Sequence, residues 1–169
     1  LGELSGKTAV IVGAGNIGTE VAKRLNAFDM TVIGVDICND EKPHFNKVEL
    51  LSELDEYLKI ADIVVLTLPL MDSTRGMFDK TKFELMKENS IFVNLARGPL
   101  VVENDLIDSL EQKLIGGAVL DVFDVEPLEK NSPLWDMKNV ILTPHNSFVG
   151  ENNNKRMFKV IVENLEIQN

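Results

Sequence analysis

The sequence predicts an α/β fold, a doubly wound parallel sheet, and three observations carry that prediction. Apolar β-type runs alternate with segments of helical periodicity along nearly the whole chain. The first run ends in Gly13-Ala14-Gly15-Asn16-Ile17-Gly18, a glycine triplet that opens a helix. The run Ile63 to Leu68 is almost continuously apolar, as a parallel strand covered on both faces requires.

Ala9 to Val12 is the first strand, and Val21, Ala22 and Leu25 follow the glycines at helical spacing. In such a turn Gly13 allows the bend, Gly15 lets the backbone approach a pyrophosphate, and Gly18 lets helix and strand pack closely. Phosphates are favoured at the helix start by its unpaired N–H groups and dipole. The second strand, Thr31 to Val35, ends in Asp36, at the spacing expected of an acid that binds an adenosine ribose. A carboxylate there accepts from both ribose hydroxyls and repels a 2′-phosphate, which favours NAD over NADP; the plain alternative is a loop acid after a strand.

Asn39 to Asn46 is polar, holds Pro43 and reads as loop. Ser52 is expected to cap a helix through Ala61, with Leu51, Leu54, Leu58 and Ala61 on one face. After the strand Ile63 to Leu68, Pro69 opens a loop carrying Asp72, Ser73, Thr74 and Arg75. Thr81 to Glu88 reads as a short helix, Ile91 to Leu95 as a strand, and Ala96 to Pro99 as a turn bearing Arg97. A helix over Glu103 to Lys113 and a strand over Ile115 to Leu120 follow. Loops then hold Asp121, Glu126-Pro127 and Pro133-Leu134-Trp135, and Val140 to Leu142 is the last strand, closed by Thr143-Pro144-His145-Asn146. Glu151 to Asn154 reads as the irregular start of a final amphipathic helix carrying Met157, Phe158, Ile161, Val162 and Leu165.

Bulk properties narrow the function classes. The 169 residues suit one domain, and 44% hydrophobic with 26% charged residues is ordinary for a globular protein. The net charge of −10 repels nucleic acid. The longest apolar stretch, Ile63 to Met71, is interrupted by Pro69 and is too short to span a bilayer. A lone cysteine, Cys38, excludes an internal disulfide and fits a reducing cytoplasm. His44 and His145 lack ligand-like neighbours, so no metal is indicated.

Ligands of doubly wound sheets bind outside the carboxyl ends of the strands, where Asp36, Thr74, Arg97, Asp121, Glu126 and His145 all fall. A guanidinium matches a carboxylate in two-pronged fashion, and an imidazole takes or gives a proton near neutrality. A carboxylate beside the imidazole fixes its tautomer and favours its charged form. Together these parts suit hydride transfer between NAD and a 2-hydroxy acid. Taken singly, Arg97 could be a surface ion-pair residue, Glu126 a solvated loop acid and His145 a structural histidine.

The ordered motifs carry a resemblance. Leu4-Ser5-Gly6-Lys7-Thr8 before the glycine triplet, Leu68-Pro69-Leu70 with Thr74-Arg75-Gly76, and Asn94-Leu95-Ala96-Arg97-Gly98 resemble the D-isomer-specific 2-hydroxyacid dehydrogenase family. So do Gly117 to Phe123, Glu126-Pro127, Pro133-Leu134-Trp135 and Thr143-Pro144-His145. The resemblance implies a Rossmann-type NAD-binding domain over residues 1–150, with Arg97, Glu126 and His145 catalytic. It implies a cofactor set of Gly13, Gly15, Asn16, Ile17, Gly18, Asp36, Pro69, Thr74, Leu95, Ala96 and Asp121, with Asp121 near the nicotinamide carboxamide. Glu126 argues against the formate dehydrogenase branch, which has glutamine there.

The resemblance further implies a fragment that begins at Leu1, with residues 151–169 returning to a substrate domain outside this chain. Expected partners are a small 2-hydroxy or 2-oxo acid and a second copy of the chain, with Trp135 near the dimer contact or in a local core. The competing function is a non-catalytic, NAD-responsive binding protein similar to corepressors that keep this fold.

Overall fold

The computed structural model describes residues 2–167; Leu1, Gln168 and Asn169 at the ends of the two expected segments lie outside the described residues. Among the described residues the strands are β1 (Thr8–Val12), β2 (Thr31–Asp36), β3 (Lys47–Leu50), β4 (Ile63–Leu66), β5 (Ile91–Asn94), β6 (Gly117–Leu120) and β7 (Val140–Leu142). They pair, all parallel, in the order β3-β2-β1-β4-β5-β6-β7. The helices are α1 (Asn16–Asn26), α2 (Leu54–Leu58), α3 (Lys80–Leu85), α4 (Glu103–Glu111) and α5 (Asn153–Ile167). The winding reverses between β1 and β4, so the first βα turn opens into the crevice at that switch point.

Side chains alternate across the sheet, and each face is covered. Val10 and Val12 of β1 join Leu54 and Leu58 of α2, Phe83 of α3 and Leu106 of α4 in one core. Ala9 and Ile11 face the other way and pack with Ala22 of α1 and Val32. The first core centres on Phe78, Phe83 and Phe92, all fully buried, with Phe83 and Phe92 edge-to-face at 5.2 Å. Among the described residues no helix is long and apolar enough to cross a membrane.

Local chemistry moves several boundaries from those the sequence predicts. β3 lies inside a stretch without a predicted element; it is a four-residue edge strand, paired on one side only, and alternates charged with apolar residues. Using residues through Leu50 in β3 leaves only a 3₁₀ turn, Leu51–Glu53, before α2, so Ser52 caps nothing and the helix is five residues long. The predicted apolar positions Leu54, Leu58 and Ala61 are nonetheless buried. β4 stops at Leu66, and Thr67 just beyond it donates its amide to the Val12 carbonyl at 2.9 Å and its hydroxyl to the Gly13 carbonyl at 2.7 Å. α5 starts at Asn153, within the segment expected to be irregular.

α3 begins one residue earlier than predicted because Asp79 caps it, accepting from the Lys82 amide at 3.3 Å. The Thr81 hydroxyl and the Lys82 amide donate to this carboxylate and hold it below the usual range against partial burial. Replacing Asp79 by Ala leaves the first turn without that acceptor and is expected to cost about 1 kcal/mol. Chemical denaturation of the Asp79→Ala variant checks this, and unchanged stability would deny the cap its role.

Candidate functional site

The glycine turn is built from three directions. The Gly13 amide donates to the carbonyl of Val35 at 2.8 Å, and Gly13 adopts φ 106°, which only glycine reaches cheaply. At Gly18 a Cβ would lie 2.0 Å from the Gly13 carbonyl oxygen, so no larger residue fits between helix and turn. Asp36, at the end of β2, accepts from the Ala14 amide at 2.6 Å through Oδ2 and from the Ile37 amide at 2.7 Å through Oδ1. The acid predicted to hold a ribose is therefore locked against the glycine turn.

This turn fits a dinucleotide. A Cβ at Gly15 would meet nothing within 4 Å, which leaves the backbone open to a ligand, and the first turn of α1 carries no acidic residue. Beside it lies a hollow of about 250 Å³ lined by Gly13, Gly15, Asp36, Pro69 and Thr74 among others. Thr74 is buried, and its hydroxyl accepts from the Met71 amide at 2.8 Å while facing the Pro69 carbonyl at 3.0 Å. It shapes the loop wall. On the other side of the turn, Asn16, Ile17 and Leu95 share a larger hollow of about 790 Å³.

Arg97 leaves β5 in extended backbone, φ −149°. Buried Asn94 fixes that exit by accepting from the Ala96 amide and donating to the Arg97 carbonyl, both at 3.0 Å. The next residue, Gly98, packs so tightly on the following loop that a Cβ would sit 1.8 Å from the Phe123 carbonyl oxygen. That contact brings the Arg97 turn against the loop bearing Glu126. Arg97 is exposed, and its Nη1 donates to the Ala96 carbonyl at 2.6 Å.

Glu126 Oε1 accepts from the Phe123 amide at 3.1 Å, and Oε2 meets His145 Nδ1 at 2.7 Å. Burial pushes this carboxyl up, but the hydrogen bonds from His145 and Phe123 and the electrostatic pull of His145 and Arg97 outweigh it. The net effect holds Glu126 below its ordinary range. An ionised Glu126 requires the proton on Nδ1, which leaves Nε2 as the nitrogen available to another group. Glu126 and His145 lie on the rim of an apolar hollow of about 530 Å³ walled by Phe123, Leu128, Trp135 and Leu142.

His145 adopts φ 48°, a left-handed conformation uncommon outside glycine that histidine reaches more readily than most, and its loop is held from outside. Asp121, 1% exposed at the end of β6, supplies the hold. Its Oδ1 accepts from the Thr143 hydroxyl at 2.5 Å and the Asn146 amide at 3.0 Å, and its Oδ2 from the Ser147 amide at 3.0 Å. Burial alone would raise this carboxyl; hydrogen bonds from Ser147, Thr143 and Asn146 overcome it and lower it to about 2. Where the resemblance implies a contact to a nicotinamide, the carboxylate oxygens grip the residues on both sides of His145. Phe148 then stands edge-on to the imidazole, ring centres 6.1 Å apart.

The structure thus gathers Arg97, Glu126 and His145 at one end of the sheet, with the glycine turn and Asp36 at the neighbouring strand ends. Sequence reasoning missed Asn94, Thr143, Asn146 and Ser147. Asn94 carries one readable signal, a lone polar residue closing an apolar strand; the other three act through contacts that no local pattern reports. Trp135 does not sit in a local core: it is 55% exposed, with its indole N–H donated to the Glu129 carbonyl at 2.9 Å.

Residues 1–147 match the family described as D-isomer specific 2-hydroxyacid dehydrogenase, NAD binding domain. The chain is 37% identical over 164 residues to a hydroxypyruvate reductase of Blautia hydrogenotrophica, covering 97% of this chain and 51% of the relative. It is 39% identical over 165 residues to a D-3-phosphoglycerate dehydrogenase of Methanocaldococcus jannaschii, covering 97% and 31%. A solved probable 2-hydroxyacid dehydrogenase from Rhizobium etli, in complex with NADP, HEPES and L(+)-tartaric acid, superposes with a TM-score of 0.87. It shares 31% identity, over 99% of this chain and 54% of that one. The chain therefore spans about half the length, or less, of the relatives it matches.

Proposed function

Since the chain belongs to the D-isomer specific 2-hydroxyacid dehydrogenase family through its NAD-binding domain, we propose that it is the coenzyme half of an oxidoreductase. The reaction is hydride transfer between NAD and a D-2-hydroxy acid or its 2-oxo acid. The observation that supports this best is the 2.7 Å pairing of His145 Nδ1 with Glu126, beside the Arg97 charge and at the strand ends that carry the glycine turn. The relatives named above are called reductases and dehydrogenases, which favours catalysis over a non-catalytic NAD-responsive role.

Bound NAD supplies the carbon that accepts or returns the hydride. Arg97 holds the substrate carboxylate through its planar fork and polarises the neighbouring C–O bond. On oxidation, His145 Nε2 takes the hydroxyl proton as the C–H bond gives up its hydride; on reduction it returns that proton to the carbonyl oxygen. Glu126 accepts a hydrogen bond from Nδ1–H, keeping Nε2 aimed at the substrate and stabilising the imidazolium that forms. Asn16, Ile17, Pro69, Leu95 and Ala96 line the cofactor path with Gly13, Gly15 and Gly18.

The family binds NAD or NADP, and relatives of known structure include NADP complexes. For this chain the preferred cofactor is NAD, because the Asp36 carboxylate closes the ribose end of the hollow and repels a 2′-phosphate. The chain is expected to bind NADH at least about tenfold tighter than NADPH, a preference of about 1.4 kcal/mol. An Asp36→Ser variant should lose most of that gap in fluorescence titrations. Equal affinities in the parent chain would overturn the assignment.

The remaining expectations extend the same reading. The segment 151–169, which holds α5, crosses to a second domain carrying the rest of the substrate site, since Met157, Phe158 and Ile161 are exposed on α5. A homodimer forms through the coenzyme domain near exposed Trp135, which sedimentation of a Trp135→Ala variant would test. The working compartment is the cytoplasm, with no nucleic-acid or membrane partner. The deciding experiment follows NADH oxidation with glyoxylate, hydroxypyruvate, pyruvate and longer 2-oxo acids, using this chain and a longer natural chain. Turnover confined to the longer chain fits the reading; cofactor binding with no turnover in either would refute it.

A further inference from the structure

We propose that Arg156 of α5 is the side-chain cation for the dinucleotide's pyrophosphate, sharing with Asn16 and Ile17 at the start of α1 the hollow of about 790 Å³. The inference rests on the dinucleotide reading above and adds a residue to it. Gly13 to Gly18 contain no lysine or arginine, and the chain carries a net charge of −10. The N-terminus of α1 contributes only about half a positive charge, so a doubly charged pyrophosphate needs a further cation.

Two guanidinium groups line the hollow that Asn16 and Ile17 of the first α1 turn open into. Arg24 is neutralised: its Nη1 donates to the Glu20 carboxylate at 2.7 Å and to the Glu20 carbonyl at 2.6 Å. Glu20, lining the same hollow, would itself repel an anion without that pairing. Arg156 has no such partner. Its Nη2 donates to the neutral Asn153 side chain at 2.5 Å, and among the described residues it makes no ion pair with a carboxylate. It therefore carries an uncompensated positive charge, in a fork that suits two phosphate oxygens.

The position of Arg156 is set by the loop that carries His145. Asn153, its hydrogen-bond partner, donates to the Phe148 carbonyl at 2.6 Å, and Ser147 just before is held by Asp121. A pyrophosphate gripped by Arg156 from α5 and by backbone amides from α1 would pin the two sides of the hollow together. Cofactor binding would then steady the segment following His145.

The test is titration of the folded chain with NADH and with ADP-ribose, which shares the pyrophosphate but lacks the nicotinamide, at low and at moderate salt. Arg156→Gln should weaken both ligands about fivefold to tenfold at low salt, with an unchanged melting temperature. Arg156→Lys, which keeps the charge, should retain most of the affinity. The difference from the parent chain should shrink as salt screens the charge. Parent-like binding by Arg156→Gln, or equal losses in the Gln and Lys variants, would overturn the proposal while leaving the dinucleotide reading intact. A parent chain that binds neither NADH nor ADP-ribose would overturn both.

Discussion

Replacing His145 by Ala is expected to lower 2-oxo acid reduction by a factor of about 10² to 10⁴, the usual contribution of a positioned acid–base group. NADH affinity should stay within a few-fold of the parent, because His145 reaches the reaction through Nε2 and lies outside the hollow lined by the glycine turn and Asp36. The measurement belongs in the longer chain proposed to carry both domains, where closure excludes water from the cleft. Single-turnover rates and NADH titrations, run side by side, separate the two effects. A His145→Ala enzyme with parent-like turnover would remove the acid–base role and the reaction built on it. Loss of NADH binding in proportion to loss of rate would instead make His145 a cofactor-site residue.

Replacing Asp121 by Asn should damage both stability and rate. The buried carboxylate accepts from Thr143, Asn146 and Ser147 at once, and the amide nitrogen of Asn would face one of those donors with a donor of its own. A buried donor left unpaired costs about 1–3 kcal/mol, and the unusual φ of His145 loses its external hold. Misplacing the imidazole by about 1 Å is expected to cut kcat by about a hundredfold, with less effect on substrate KM. The pH dependence has a definite sign. Because the folded carboxyl is lowered to about 2 from an ordinary 3.8, its stabilising contribution is present above about pH 4. It is lost as pH falls from there through about 2. Asp121→Asn should remove that part of the acid-induced loss, so the two melting curves converge at low pH. Parallel loss of stability for both chains between pH 4 and 2 would show that the charge on Asp121 is not what secures the loop.

The site was legible where its chemistry is local. Gly13, Gly15, Gly18 and Asp36 declare themselves because one turn, one helix start and one strand end fall within a short stretch of chain. The structure keeps them in mutual contact, with the Asp36 carboxylate on the Ala14 amide. Helix and strand types were readable from period and apolar content, as in β1 and β4. Edges were less so: β3 is short, charged and paired on one side, and α2 lost its first turn to it. The Asp79 cap, by contrast, is local, its carboxylate accepting from the Lys82 amide three residues on.

By itself, then, the sequence determined the α/β class, the parallel winding and the dinucleotide turn, since periodicity, glycine content and strand-end acids act over a few residues. Only the tertiary structure decided how the distant residues meet. Arg97 approaches Glu126 because Gly98 lets two backbones touch, and Glu126 meets His145 because β6 and β7 are neighbours in the sheet. The role of Asp121 was decided there as well. At the end of β6 its carboxylate meets the donors of the adjacent loop, because a charge withdrawn from water takes hydrogen bonds from the protein around it.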